Sequence, residues 1–209
     1  MSFGASRRKA LALLGVPALL GLPQCAFAGA QIEEPLADAV RNALSAVVSN
    51  SEPPEPVFAH TDARLHYVRW KVEMNQRLLG RKSDLKTLQQ RDEFLQTLWY
   101  NCQRARLDVA LVLGLIQVES NFRQFCVSSA GARGYMQVMP FWSRSIGDGD
   151  ASKLFQMKLN LRFGCAILRL YLDMEHGDLF MGLGRYNGSR GKSLYPDAVL
   201  GARRRWELS

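Results

Sequence analysis

Glu119 closes a run of ten residues without a charge, Val-Ala-Leu-Val-Leu-Gly-Leu-Ile-Gln-Val at positions 109–118. Asp108 stands before that run as a helix N-cap. Val112, Leu115 and Ile116 lie seven, four and three positions before Glu119 and share its face of a helix. A helix that is apolar all round belongs at the centre of a domain, so this carboxyl group emerges from the interior. Desolvation raises a carboxyl pKa. Two readings are open at this point. One is a buried glutamate paired with Arg123 or Arg133; the other is a general acid kept protonated near neutral pH.

The segment that follows bears on the choice. Ser128-Ser129-Ala130-Gly131-Ala132-Arg133-Gly134-Tyr135-Met136-Gln137-Val138-Met139-Pro140 is small and glycine-rich, then abruptly apolar. Small residues let backbone approach a ligand closely. Gln137 offers both a donor and an acceptor, which a sugar N-acetyl group requires, and Met136, Met139, Phe141 and Trp142 can wall an apolar pocket. The plainer alternative is a surface loop running into a core helix. No Asp or Glu occurs between Ser120 and Gly147, whereas common glycosidases set two carboxylates across the scissile bond. Asp148, Asp150 and Asp173 are the acids that would have to fold back. The histidines are His60, His66 and His176, and no Cys-x-x-Cys occurs, so no metal site and no cofactor are expected.

Glu119-Ser120-x-Phe122, followed by Ser128-x-x-Gly131-Ala132-x-Gly134-x-Met136-Gln137-x-Met139-Pro140, resembles the signature of the soluble lytic transglycosylases. Asn160-Leu161-x-x-Gly164-x-x-x-Leu168 is similar to the family's next helix. Tyr186-Asn187 is similar to its Ala-Tyr-Asn motif, with Arg185 in place of the alanine. The resemblance spans about residues 94–199. It implies an all-α, lysozyme-like SLT domain that cleaves peptidoglycan glycan strands, with Glu119 as the catalytic residue. It also implies that Ser128, Gln137, Met139, Tyr186 and Asn187 surround the sugar, with Tyr186 the candidate to hold Glu119 or the substrate's N-acetyl oxygen. Where the family continues with Ala-Gly-Pro, this chain has Gly188-Ser189-Arg190-Gly191, which alters the loop beside the site. Two rivals remain at this stage: a muramidase that passes the intermediate to water, and a non-catalytic peptidoglycan-binding module of a secretion apparatus.

The elements that must hold these residues read as successive helices. Residues 32–48 carry Leu36, Ala39, Val40, Ala43, Leu44 and Val47 at helical spacing. Positions 51–56, Ser-Glu-Pro-Pro-Glu-Pro, read as a linker. A second helix is expected over 63–79, with Leu65, Val68, Val72 and Leu79 marking one face, and a third from 83 or 84 to about 104. Residues 29–93 thus form a helical extension ahead of an SLT domain over 94–209.

The first residues have another character. Arg7, Arg8 and Lys9 precede an apolar run over 10–22, and Ala26-Phe27-Ala28 supplies a small-x-small cleavage pattern. The run is too short for a membrane span. Residues 1–28 are therefore expected to be a removed signal peptide, exported by the Tat or the Sec route to the periplasm, with Cys25 discarded rather than lipidated. What remains carries 24 Lys and Arg against 19 Asp and Glu. That balance suits an anionic polymer, and export favours peptidoglycan over nucleic acid. Cys102, Cys126 and Cys165 remain, enough for one disulfide with Cys102–Cys126 favoured, or for three small buried core residues.

Overall fold

The computed structural model describes residues 31–49 and 55–208; the expected leader at 1–28 and positions 51–54 of the expected linker lie outside the described residues. Among the described residues the helices are α1 (Asp38–Ser49), α2 (Thr61–Leu79), α3 (Leu88–Ala105), α4 (Val109–Glu119), α5 (Phe141–Ile146), α6 (Met157–Met174), α7 (Leu179–Asn187) and α8 (Leu194–Arg203), with a 3₁₀ turn at Ala151–Phe155. β-pairing there is limited to two isolated bridges, Val127 with Arg133 and Arg133 with Val138. The fold is all-α, as the periodicity predicts.

Local chemistry sets where the helices begin. α1 starts at Asp38 rather than at 32, because Pro35 disfavours helical backbone at Glu34 and Asp38 places an acid at the positive helix end. α3 starts at Leu88, later than expected. Thr87 and Gln90 form a reciprocal capping box there: Gln90 N donates to Thr87 Oγ1 at 3.1 Å, and Thr87 N donates to Gln90 Oε1 at 2.9 Å. α4 begins where expected, with Asp108 Oδ1 accepting from Ala110 N at 2.9 Å.

The face of α2 is a correction. Leu65, Val68, Val72 and Leu79 point to solvent, Leu65 and Val72 being 55% and 57% exposed. The buried residues are Tyr67, Trp70, Met74 and Leu78. Both stripes have helical spacing, and the aromatic one wins because a Trp and a Tyr bury more area than a Leu and a Val. Trp99 of α3 meets Trp70 at 4.7 Å and Tyr67 at 5.0 Å between ring centroids.

α4 lies at the centre, with Ala110 through Ile116 buried. Its closest partner is α8. A Cβ on Gly114 would stand 2.7 Å from Arg203 N and 3.0 Å from Val199 O, so the two backbones touch where only glycine fits. At the start of α4, Asp108 pairs with Arg203 at 2.6 Å, in an alignment that makes no hydrogen bond through Arg203 Nε. The two helices therefore run antiparallel, and the first turn of α8 lies beside Glu119.

The residues ahead of α3 share this core. Val48, Tyr67, Trp70, Met74 and Leu78 belong to the same buried cluster as α4 and α6, and Arg162 of α6 donates to Val48 O at 2.8 Å. The segment before α1 is tied down as well. Gln31 Oε1 accepts from Trp142 Nε1 at 2.8 Å, and Glu34 accepts from Arg185 Nη1 at 2.7 and 2.9 Å. No helix among the described residues is long and apolar enough to cross a membrane. Cys102 and Cys165 are buried free thiols, so the favoured Cys102–Cys126 bridge is not formed; Cys126 is buried and disulfide-bonded, though not to either of them.

Candidate active site

Glu119 is the last residue of α4 and is 2% exposed. Its Oε1 accepts a hydrogen bond from the Tyr195 hydroxyl at 2.5 Å, and its Oε2 has no partner. Burial pushes the carboxyl pKa up to about 8, with the Tyr195 hydrogen bond pulling it down. The arginine-paired reading is not what forms. Arg123 Nε donates to Ser120 O at 3.0 Å, and Arg133 Nη1 donates to Ala151 O at 2.8 Å while its guanidinium lies over the Phe155 ring.

No second carboxylate contributes to the Glu119 shift. Asp148 pairs with Lys153, Asp150 accepts from Ser152 N and Oγ at the start of the 3₁₀ turn, and Asp173 pairs with Arg169 at 2.7 Å. None of the three acids folds back. Glu119 is a lone, desolvated, hydrogen-bonded acid.

The chain reverses immediately after it. Asn121 and Phe122 take φ of 48° and 61°, the left-handed region that disfavours bulky residues. Packing holds them there. The Phe122 ring sits edge-on to Phe94 and Trp206, and Ser120 Oγ donates to Tyr135 O at 2.7 Å.

Residues 126–139 form a tight loop built by its own small residues. Ser128 N donates to Ala132 O and Ser128 Oγ accepts from Ala132 N, both at 3.0 Å. Arg133 and Val138 exchange two backbone bonds. Gly134 takes φ of 76°, and a Cβ there would lie 2.4 Å from Asn160 Nδ2.

The three motif blocks meet at one residue. Met136 N donates to Asn160 Oδ1 at 2.8 Å, and Met136 O accepts from the Tyr186 hydroxyl at 2.8 Å. Asn160 Nδ2 donates to Arg133 O and Leu154 O, each at 2.8 Å. A Cβ on Gly164 would strike Met136 Sδ at 2.3 Å, so α6 needs a glycine for the loop to dock. Tyr186 therefore does not hold Glu119. Its buried hydroxyl fixes the loop, and Tyr195 takes the position expected of it. Sequence reading missed Tyr195: Tyr195-Pro196 shows only a tyrosine at the start of a helix, and its use depends on the α4–α8 register.

The remaining expected residues are placed as follows. Gln137, at φ 50°, donates through Nε2 to Cys126 O and Gly134 O at 3.0 and 2.9 Å. Asn187 is the last residue of α7 and donates to Ser189 Oγ at 3.2 Å. Met139 is half-buried against the core, and Ser128 is buried. Among the described residues, the buried carboxyl or amide oxygens without a partner are Glu119 Oε2, Gln137 Oε1 and Asn187 Oδ1. All three belong to the set singled out from sequence. An unsatisfied buried oxygen is costly in a folded chain and marks a place for an external donor. Hydroxyl and amide N–H groups of a sugar are such donors. Among the described residues no cluster of His, Cys, Asp and Glu fit to hold a metal occurs.

The chain is thus all-α among its described residues, built around one desolvated, hydrogen-bonded carboxyl group and a glycine-rich loop. Residues 99–201 match the family model of the transglycosylase SLT domain, so the chain carries an SLT domain over that stretch. It is 36% identical over 87 residues to a protein named "Transglycosylase" from Enterobacteria phage PRD1. That match takes in 42% of this chain and 31% of the phage protein, so the chain spans about a third of the relative it matches.

Proposed function

We propose that the chain is a peptidoglycan lytic transglycosylase that cleaves the bond between N-acetylmuramic acid and N-acetylglucosamine, with Glu119 as its single general acid and base. The observation that carries the reading is the state of Glu119. With its pKa pushed up to about 8 by burial it is protonated at neutral pH, and its buried Oε2 has no partner among the described residues.

In this mechanism Glu119 protonates the glycosidic oxygen as the bond breaks, and the substrate's own N-acetyl oxygen stabilises the positive centre. The Glu119 carboxylate so produced then takes the proton of the muramic acid 6-hydroxyl, which closes a 1,6-anhydro ring. Glu119 ends protonated, ready for another turn, and no water is consumed. Tyr195 donates to Oε1, so its hydrogen bond strengthens as the carboxylate forms. Gln137 and Asn187 offer acceptor oxygens to the sugar's donors. Acid–base help of this kind contributes about 10²–10⁴-fold, and positioning of the strand supplies much of the rest.

The leader-like residues 1–28 and the basic balance support a site of action in the periplasm, at the wall. The test is digestion of purified peptidoglycan followed by mass analysis of the muropeptides. Fragments ending in 1,6-anhydro-N-acetylmuramic acid are expected, and Glu119→Gln should release none while still binding glycan strands. Reducing ends would replace the reading with a hydrolase, and full activity in Glu119→Gln would remove the residue from the chemistry.

A further inference from the structure

Cys102 and Cys165 take no part in the chemistry above. Both are buried free thiols, Cys102 on α3 and Cys165 on α6, at the contact between the two helices. The pair is in side-chain contact. Burial first, and then a hydrogen bond with Cys165, push the Cys102 thiol up. Touching cysteines on facing helices need little adjustment to reach disulfide geometry, with Cα atoms roughly 4.4–6.8 Å apart. Cys165 also has a way out. It lines an apolar groove of about 640 Å³ with Val40, Leu44 and Val47 of α1 and Leu170 of α6. The outer wall of that groove is α1, whose buried residue is Val48 alone.

We propose that Cys102 and Cys165 form an oxidisable dithiol, which closes into a disulfide joining α3 to α6. The oxidant is a small or protein disulfide. Cys165, on the groove, loses its proton and attacks one sulfur of that disulfide, giving a mixed disulfide and releasing one thiol. Cys102 then loses its proton and attacks Cys165 Sγ, which expels the second thiol and leaves the Cys102–Cys165 bond. Two electrons and two protons pass from the cysteines to the oxidant, which ends as two thiols. Burial holds the Cys102 thiol protonated, so the second step is helped by its contact with Cys165 and not by its acidity. The inference rests on the proposed export only for the natural source of oxidant. Its consequence is mechanical: α6 carries Asn160, the residue that grips Met136, and the bond braces that helix against α3.

The experiment uses the purified full chain, incubated with glutathione disulfide or with dithiothreitol. Free thiols are then trapped with N-ethylmaleimide under denaturing conditions, and the chain is digested without reduction. The oxidised sample should yield a linked peptide pair containing Cys102 and Cys165, absent after dithiothreitol. Its Tm should exceed that of the reduced chain by roughly 10 °C, given the long loop closed. Because dithiothreitol also opens the disulfide at Cys126, the gain is read in a Cys126→Ser background, where link and gain should persist and where adding Cys102→Ser or Cys165→Ser should abolish both. Alkylated Cys102 and Cys165 in the oxidised wild type, or a link from either to Cys126, would overturn the proposal. A Cys102–Cys165 link without a gain in Tm would overturn the bracing role. None of these readouts depends on glycan cleavage, so they stand apart from the proposed activity.

Discussion

Tyr195 sets how acidic Glu119 is, and that makes it the most informative single position near the acid. Its hydroxyl stabilises the carboxylate, so Tyr195→Phe should leave Glu119 harder to ionise and shift its pKa above about 8. The proposed acid is needed protonated, so wild-type kcat/KM should fall as pH rises through about 8. In Tyr195→Phe that alkaline limb should move to higher pH. The same variant should turn over roughly one to two decades more slowly at neutral pH, because a charge-assisted bond made as the carboxylate forms is worth about 1.5–3 kcal/mol. An unmoved alkaline limb in a pH–rate series would detach Tyr195 from the acid's chemistry. Tyr186→Phe separates the two tyrosines. It removes a neutral bond to Met136 O, so it should cost about 1 kcal/mol of stability and leave the limb where it is. Sequence alone singles out Tyr186 for the place beside Glu119 that Tyr195 takes. Tyr186 sits beside Asn187 in a recognisable motif, whereas Tyr195 reaches Glu119 only through the packing of two helices far apart in the chain.

At the scale of elements, the site depends on one loop gripped from two helices. Asn160 of α6 makes three hydrogen bonds to the backbone of residues 133, 136 and 154, and Tyr186 of α7 makes a fourth contact at Met136. While Arg133 O keeps its bond from Val138 N, Asn160→Ala removes this partner from the Met136 N–H and the Leu154 carbonyl. Each costs about 1–3 kcal/mol if it stays unsatisfied, so a loss of several kcal/mol is expected in chemical denaturation. Glycan cleavage should fall with it, through misplacement of Gln137. Stability lost with cleavage fully retained would show that the loop's exact placement is unimportant. Much of this element was legible. The uncharged run of α4, the Asp108 cap and the small residues of the loop all follow from local rules that a linear sequence displays. The buried face of α2 was not, because two apolar stripes of equal period compete on it. The choice rests on Trp99 arriving from α3, which no property of α2 announces.

For the whole molecule, two buried or paired acids with opposite shifts give stability a maximum in pH. Glu119 has a folded pKa near 8, raised from 4.5 by burial. Its folded form holds its proton more tightly than the unfolded chain does. That contribution is fully present below about 4.5 and is lost as pH rises through about 8. Glu175 is the reverse case. It accepts from Arg190 Nε and Nη2 and from Arg185 Nε at 2.7–2.9 Å, and these hold its carboxyl at about 2. Its contribution is fully present above about 4.5 and is lost as pH falls through about 2. Both are complete only near pH 4.5–5, so Tm should peak there and fall on both sides. The cluster is also where the chain departs from the family motif. Arg185 and Arg190 replace the usual residues and converge on Glu175, and Arg185 reaches Glu34 ahead of α1. Sequence exposed the two substitutions but not their shared partner, since Glu175 lies at the end of α6, ten or more residues away. Melting the wild type, Glu119→Gln and Glu175→Gln from pH 3 to pH 9 separates the two limbs. Glu119→Gln should flatten the alkaline decline, becoming more stable than wild type above pH 5 by an amount that grows to pH 8, and should keep the acid decline. Glu175→Gln should melt lower than wild type at neutral pH, by a gap that narrows as pH falls from 5 to 3. An alkaline limb that survives Glu119→Gln would mean that Glu119 is not the proton held by the fold.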